Sequence, residues 1–313
     1  MLIFQSFGEH LEHLRETQNF SRFALSDGIC SEKQLYRIEK SLSSPSIYIL
    51  NQLSLRLNAD LTDLYKQYNI DSLPGFKEIC EINDYIKSYD MRNLRKYLAT
   101  LDITIFNNNS LFHETYYYAL ASCAYTLDAD YKTALFYINK GLLFNHDMPY
   151  KNISQTIFSN HGYCLLNLKG SILLKQKEYR KALLLFLETK NSLDKHFILP
   201  NINAYLTPMF IHKIYTALLS NMVMCYYYLA EYEDVIAYAD TAIKYSMNNY
   251  IMRHFQIILD YKARALYHMD NIEESCKLFN TALNLYQMDS GYEDYIIHLK
   301  EIISADFPRI QLL

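Results

Sequence analysis

The sequence holds few residues that break helices: 7 glycines and 6 prolines among 313 residues, with no tryptophan. Glycine and proline punctuate turns, so their scarcity favours long helices with short connections. No uninterrupted apolar run approaches the ~18 residues of a membrane span, and the opening MLIFQSFGEH lacks the charged start and apolar core of a signal peptide. The 6 cysteines (Cys30, Cys80, Cys123, Cys164, Cys225 and Cys276) form no CxxC pair and have no histidine at finger spacing. That pattern argues against structural zinc and for reduced thiols in the cytoplasm. His10 and His13 lie one turn apart with no third ligand and read as a surface pair. There is no GxxxxGK[ST] loop, no GxGxxG after a strand, no HExxH and no recognisable nucleophile–base signature. The expectation is a chain that is not an enzyme and needs neither metal nor cofactor. A net charge of −4 gives no general attraction to nucleic acid, so any DNA affinity must rest on a few well-placed cations and on two copies of a reader.

What the sequence does hold is apolar spacing of helical period, half of its residues being hydrophobic, and 30 tyrosines that can fill inter-helix space while keeping a hydroxyl for a partner. Residues 1–68 read as a small domain of short helices. Phe7, Leu11 and Leu14 give the first helix an apolar stripe. Ser21 is placed as the N-cap of a second helix that Asp27-Gly28 ends, glycine accepting the left-handed backbone of a tight turn. Ser31 caps a third helix, with Gln34 three residues on as in a capping box. Leu35 and Ile38 face inward there, leaving Glu32, Lys33, Tyr36, Arg37 and Lys40 outward. Pro45 is expected to open a fourth helix with Ile47, Leu50, Leu53 and Leu57 on its buried side. This is a helix-turn-helix layout, which lays one helix in the major groove.

Arg15, Ser21, Leu25, Tyr36-Arg37-Ile38-Glu39, Pro45-Ser46, Leu50 and Leu57 stand at offsets that resemble the XRE, or lambda-repressor-like, helix-turn-helix family. Two positions depart from its pattern: Tyr36 stands for a serine, and Ser41 for the glycine of the helix cap. The resemblance implies that Glu32, Lys33, Gln34 and Arg37 face base edges, that Ser21 and Arg22 hold a phosphate, and that Arg15 and Glu39 form a buried structural salt bridge. Arginine can grip guanine, and glutamine adenine, through two bonds each.

Asn69-Ile70-Asp71-Ser72-Leu73-Pro74-Gly75 marks a linker (69–75), and residues 76–313 carry a recurring phrase. It reads Tyr131, Ala134, Ile138, Gly141; then Tyr179, Ala182, Phe186, Thr189; then Tyr232, Val235, Ala239, Ala242; then Ile272, Ser275, Phe279, Ala282. A weaker first copy centres on Leu94, Leu98 and Leu101. About twelve residues ahead of each key position stands a residue that must pack closely: Ile82, Ser122, Gly170, Val223 and Ala263. The pattern resembles tetratricopeptide repeats, stretched to copies about 40 to 53 residues apart. The fold expected is all-α: a lambda-repressor-like helix-turn-helix domain followed by a superhelix of degenerate tetratricopeptide repeats.

A reader of this kind ahead of such an array resembles the PlcR/Rgg/PrgX group of peptide-pheromone receptors. The resemblance implies a cytoplasmic, homodimeric transcription regulator of quorum sensing. Its partners would be double-stranded operator DNA, read as half-sites about 34 Å or a multiple apart, and a short signalling peptide on the concave face of the array. Asn167 and Asn221, counted back from Ala182 and Val235, are candidates for the peptide backbone, since each amide donates and accepts. Asp260 and Arg264, one turn apart, face a peptide charge or each other; Met224 and Tyr227 offer apolar pockets. The Tyr116-Tyr117-Tyr118 and Tyr226-Tyr227-Tyr228 runs read first as packing. The alternative is a regulator whose array binds a protein partner in place of a peptide.

Overall fold

The computed structural model describes residues 4–69, 74–106, 110–143, 152–198, 209–288 and 293–312. Among these residues every regular element is helical. Contacts divide the chain into Met1–Glu81 and Ile82–Leu313. Of the expected linker, residues 70–73 lie outside the described residues, and Gly75 adopts a left-handed φ of 81° immediately before the next helix.

The first unit opens with α1 (Phe7–Thr17), α2 (Arg22–Ser26), α3 (Glu32–Glu39), α4 (Ile47–Leu57) and α5 (Leu61–Asn69). Serine caps decide where four of these begin. Ser6, Ser21, Ser31 and Ser46 each accept a hydrogen bond from the backbone N–H three residues on, satisfying a donor that the first turn leaves open. Gly28 takes the expected left-handed conformation, φ 71°, between α2 and α3. Ser41 does so too, at φ 56°. There the N–H groups of Ser41 and Leu42 return to the carbonyls of Ile38 and Arg37, which is a Schellman cap built without glycine. Phe7, Leu11, Leu25, Leu35, Ile38, Leu50, Leu53, Leu57 and Leu61 meet in one core. One expectation fails on α4. Ile47 is 73% exposed and Ile49 is buried in its place, because Ser46 rather than Pro45 caps the helix and the buried face is Ile49, Leu50, Leu53, Leu57.

The remaining helices are α6 (Phe76–Lys87), α7 (Met91–Leu98), α8 (Ser110–Leu127), α9 (Tyr131–Leu143), α10 (Asn160–Lys175), α11 (Tyr179–Leu193), α12 (Met209–Tyr228), α13 (Tyr232–Asn248), α14 (Phe255–His268), α15 (Ile272–Gln287) and α16 (Glu293–Asp306). The recurring phrase falls on α7, α9, α11, α13 and α15, and the close-packing residues fall on α6, α8, α10, α12 and α14. Ala134, Ile138, Ala182, Phe186, Thr189, Val235, Ala239, Ala242, Ser275, Phe279 and Ala282 are all fully buried. Leu101, in the weak first copy, lies beyond the end of α7. α9 ends at Leu143 and α10 begins at Asn160, while α11 ends at Leu193 and α12 begins at Met209.

Helices pack in pairs, α8 with α9 through α14 with α15, and each later pair packs on the one before. The first members also touch in series, α8 to α10 to α12 to α14, so they form one continuous inner layer. Gly170 shows why small residues are needed between partners. A Cβ there would lie 2.2 Å from Cε1 of Phe186, whose ring is fully buried and has nowhere to go. At the far end α16 and Phe307 cover Ala263, Phe279, Leu283 and Tyr286.

Gly170→Ala is therefore expected to cost about 1–3 kcal/mol by overpacking, read as a lower urea midpoint for the array. A second expectation concerns acid. Burial holds His161 and His254 at about 4, below the ordinary 6.5. The unfolded chain takes up those protons first, so stability is complete above about 6.5 and falls as pH drops towards about 4. Replacing both histidines with glutamine should flatten the thermal stability profile across that window.

Candidate functional site

The helix-turn-helix unit is assembled around a buried carboxylate. Glu39, at the end of α3, has a fully buried side chain. Arg15 of α1 donates to it from Nε at 2.6 Å and to the Phe20 carbonyl from Nη1 at 3.0 Å. Arg22, the first residue of α2, donates from Nε to the other Glu39 oxygen at 2.5 Å and from Nη2 to Glu12 at 2.5 Å. Lys40 closes the network on the second Glu12 oxygen at 2.6 Å. The hydrogen bond and charge of Lys40 hold the Glu12 carboxyl below its ordinary range against a smaller opposing effect of burial. Arg56 of α4 caps the carbonyl end of α2, its Nη1 lying 3.2, 3.0 and 2.6 Å from the oxygens of Ala24, Leu25 and Asp27. Two helices, α1 and α2, are thus locked to α3 by charge-assisted bonds, and α4 is tied to the carbonyl end of α2.

On α3 itself Leu35, Ile38 and Glu39 point inward, and Glu32, Lys33, Gln34, Tyr36, Arg37 and Lys40 are exposed. The expected pair Arg15–Glu39 is present. Ser21 serves as a cap, accepting from Ala24 N–H at 3.0 Å. Arg22 is placed differently from its expected role as a phosphate ligand: two of its nitrogens are committed to Glu12 and Glu39. Glu12 and Arg56 were missed from the sequence, because a carboxylate and a guanidinium on outer helix positions look like solvated charge until their partners are folded against them.

In the array, Asn167 and Asn221 do come together. Asn221 Nδ2 donates to Asn167 Oδ1 at 2.9 Å and lies 3.4 Å from Ser171 Oγ. Both are half-buried on the inner layer. They stand 15 and 14 residues before Ala182 and Val235, so they are one position out of register. Asp260 and Arg264 are not open to a ligand charge: Arg264 Nε and Nη2 donate to the two Asp260 oxygens at 2.8 and 3.0 Å, both residues being buried. Burial pushes the Asp260 carboxyl above its ordinary range, opposed by the facing guanidinium. The Arg264 guanidinium also lies over the rings of Tyr261 and Phe307. Met224 is half-buried against the core. Tyr227 packs edge-on to Tyr228 and Tyr261, with its hydroxyl 3.4 Å from His268 Nε2. The tyrosine runs act chiefly in packing: Tyr228 stacks on Tyr179, Tyr226 on Tyr238 and Tyr117 on Tyr137.

No protein-family model and no curated protein matches the sequence. Solved structures do match, from end to end. Bacillus thuringiensis PlcR, in complex with the peptide PapR7 and DNA, superposes with a TM-score of 0.66 at 16% identity, covering 94% of this chain and 99% of that one. The chain has the PlcR fold. Two further structures share it: the Streptococcus dysgalactiae SHP pheromone receptor Rgg2, with a TM-score of 0.59 at 13% identity over 96% of this chain and 100% of that one, and the PrgX/cCF10 complex, with 0.59 at 15% identity over 99% and 95%. The helix-turn-helix and the repeat array foreseen from the residues are the two parts of this PlcR-type architecture. No helix among the described residues is long and apolar enough to cross a membrane.

Glu39→Ala would take from Arg15 and Arg22 the buried carboxylate to which both donate, leaving them only the partly exposed Glu12 in common. It is expected to cost about 3–5 kcal/mol, seen as loss of amide-exchange protection in α1 to α3 while α8 to α15 keep theirs.

Proposed function

We propose that this chain is a DNA-binding transcription regulator switched by a short signalling peptide. In this reading residues 1–68 are the reader, 69–75 the linker and 76–313 the array that binds peptide and pairs two copies in the cytoplasm. One observation carries the proposal: the whole length matches a protein solved with both a peptide and DNA bound. The placement of side chains agrees with it. Lys33 and Arg37 stand on the exposed face of a capped helix whose other face is the reader core. Glu32 and Gln34 flank them, and Ser21 fixes the start of the preceding helix. On the inner layer of the array, the amides of Asn167 and Asn221 offer a backbone donor and acceptor, and Met224 and Tyr227 lie further along the helix that carries Asn221. Asp260 and Arg264, bound to each other, shape the end of that layer rather than pairing with a ligand charge.

The mechanism is a population shift. A peptide that contacts one arrangement of the dimer more tightly than another favours that arrangement and the half-site spacing it presents. Synthetic apolar peptides of fewer than about ten residues should raise the unfolding temperature of the full chain, a ligand at a hundredfold excess over its Kd adding about 2.7 kcal/mol. Selection from a random duplex pool should return paired half-sites, and K33A/R37A should weaken binding to the selected duplex by about tenfold or more. A chain that selects no duplex, or one that is stabilised by a folded protein and by no peptide, contradicts the proposal.

A further inference from the structure

The recognition helix carries one large side chain that neither the core nor the charge network uses. Tyr36 is 44% exposed, and no described residue accepts a hydrogen bond from its hydroxyl. Its ring is nonetheless held: the Arg22 guanidinium lies over it, 5.2 Å from the centroid. Arg22 cannot swing away, because its Nε and Nη2 are tied to Glu39 and Glu12 at 2.5 Å each. The guanidinium is therefore held over the phenol ring at cation–π distance by two anchored nitrogens, an anchorage that the single nitrogen of a lysine cannot reproduce.

Position on the helix says what the ring is held for. With Leu35, Ile38 and Glu39 buried, the helical period puts Lys33, Arg37 and Lys40 in the middle of the outward face and Tyr36 on its edge towards α2. In a helix-turn-helix laid in the major groove, the helix preceding the recognition helix crosses the sugar–phosphate backbone. The edge of α3 nearest α2 therefore meets phosphates rather than base edges. Resting on the DNA-binding reading above, we infer that the Tyr36 hydroxyl donates a hydrogen bond to a backbone phosphate oxygen, and that Arg22 is the residue positioning it rather than a phosphate ligand. The local charge balance agrees: Arg15, Arg22 and Lys40 face Glu12, Glu16 and Glu39, three of each sign, so the Arg22 charge is already matched inside the protein.

The test exploits the difference between a neutral donor and a cation. A hydroxyl–phosphate contact releases no counter-ion, whereas each cation–phosphate contact adds about 0.9 to the slope of log affinity against log salt. Binding of the full chain to a random-sequence duplex pool of about 30 base pairs is measured by fluorescence anisotropy across salt. Tyr36→Phe keeps the ring and its stack, and is expected to weaken binding about fivefold, the order of one hydrogen bond, with the slope unchanged. Arg22→Lys keeps a cation beside Glu12 and Glu39 but loses the two-nitrogen anchor that holds it over the ring. It should weaken binding in the wild-type background and add nothing in the Tyr36→Phe background. Binding of Tyr36→Phe within twofold of wild type overturns the inference, as does an Arg22→Lys effect that persists undiminished in Tyr36→Phe. Should the wild-type chain bind no duplex at all, the DNA-binding reading falls, and this inference with it.

Discussion

Among the described residues, the turn inside each of the five helix pairs of the array carries one left-handed residue. Tyr89, Ala129, Lys177, Ala230 and Asp270 have φ between 49° and 64°, and each stands five positions before the small or apolar contact residue of its second helix: Leu94, Ala134, Ala182, Val235 and Ser275. None is glycine, so each turn holds an L-residue where its Cβ crowds the following carbonyl, at about 1–2 kcal/mol apiece. The turn is kept because it closes the first helix. The N–H of the next residue returns to a carbonyl of that helix: Asp90 to Tyr85, Asp130 to Ala124, Glu178 to Leu173, Glu231 to Tyr226 and Asn271 to Leu266. Three of those next residues, Asp90, Asp130 and Asn271, then cap the second helix with their own side chains. A fixed turn fixes the offset between partner helices, and that offset is what brings Gly170 against Phe186 and lets Ser275 Oγ donate to the Ala263 carbonyl at 2.7 Å. Close approach at the small residues is a consequence of the turn, and the inner layer is a consequence of close approach.

The helix-turn-helix unit depends on a different kind of constraint. Its helices are too short to be stable alone, α2 having 5 residues and α3 having 8, so their orientation must come from tertiary contacts. Apolar packing sets distances but tolerates rotation. Glu39, buried and bonded on both oxygens by arginines from two other helices, does not. The network thereby fixes the rotation of α3 about its own axis, and with it the direction of Lys33 and Arg37.

Most of this architecture was legible in the residues. Serine caps, the Asp27-Gly28 break and the spacing of small residues are local signals, and local signals survive in a sequence without knowledge of what lies opposite. The positions of helices and the five repeat pairs followed from them. What did not follow are the properties set by a partner distant in the chain. Arg22 looked like a free cation because Glu12 and Glu39 lie 10 and 17 residues away. Ile47 looked like core because it is apolar and helical, although the helix cap at Ser46 turns it outward. The left-handed turns were invisible because their residues, Lys177 and Ala230 among them, are ordinary helix formers.

The polar groups of the inner layer bear on how a ligand would be discriminated. Asp260 and Arg264 satisfy each other with two parallel bonds and are buried. A ligand charge that separated them would have to replace both bonds at once, because a lone buried charge is costly. The asparagine pair is different. Asn221 spends a donor on Asn167, which leaves the Asn221 oxygen and the Asn167 amide hydrogens with capacity for further bonds. An extended backbone, presenting a donor and an acceptor at each residue, can add to that pair without breaking it. A ligand recognised only through a charged side chain has no such entry. The asparagine pair therefore keeps hydrogen-bonding capacity that suits a backbone amide, and the closed Asp260–Arg264 pair offers an isolated ionic group nothing comparable.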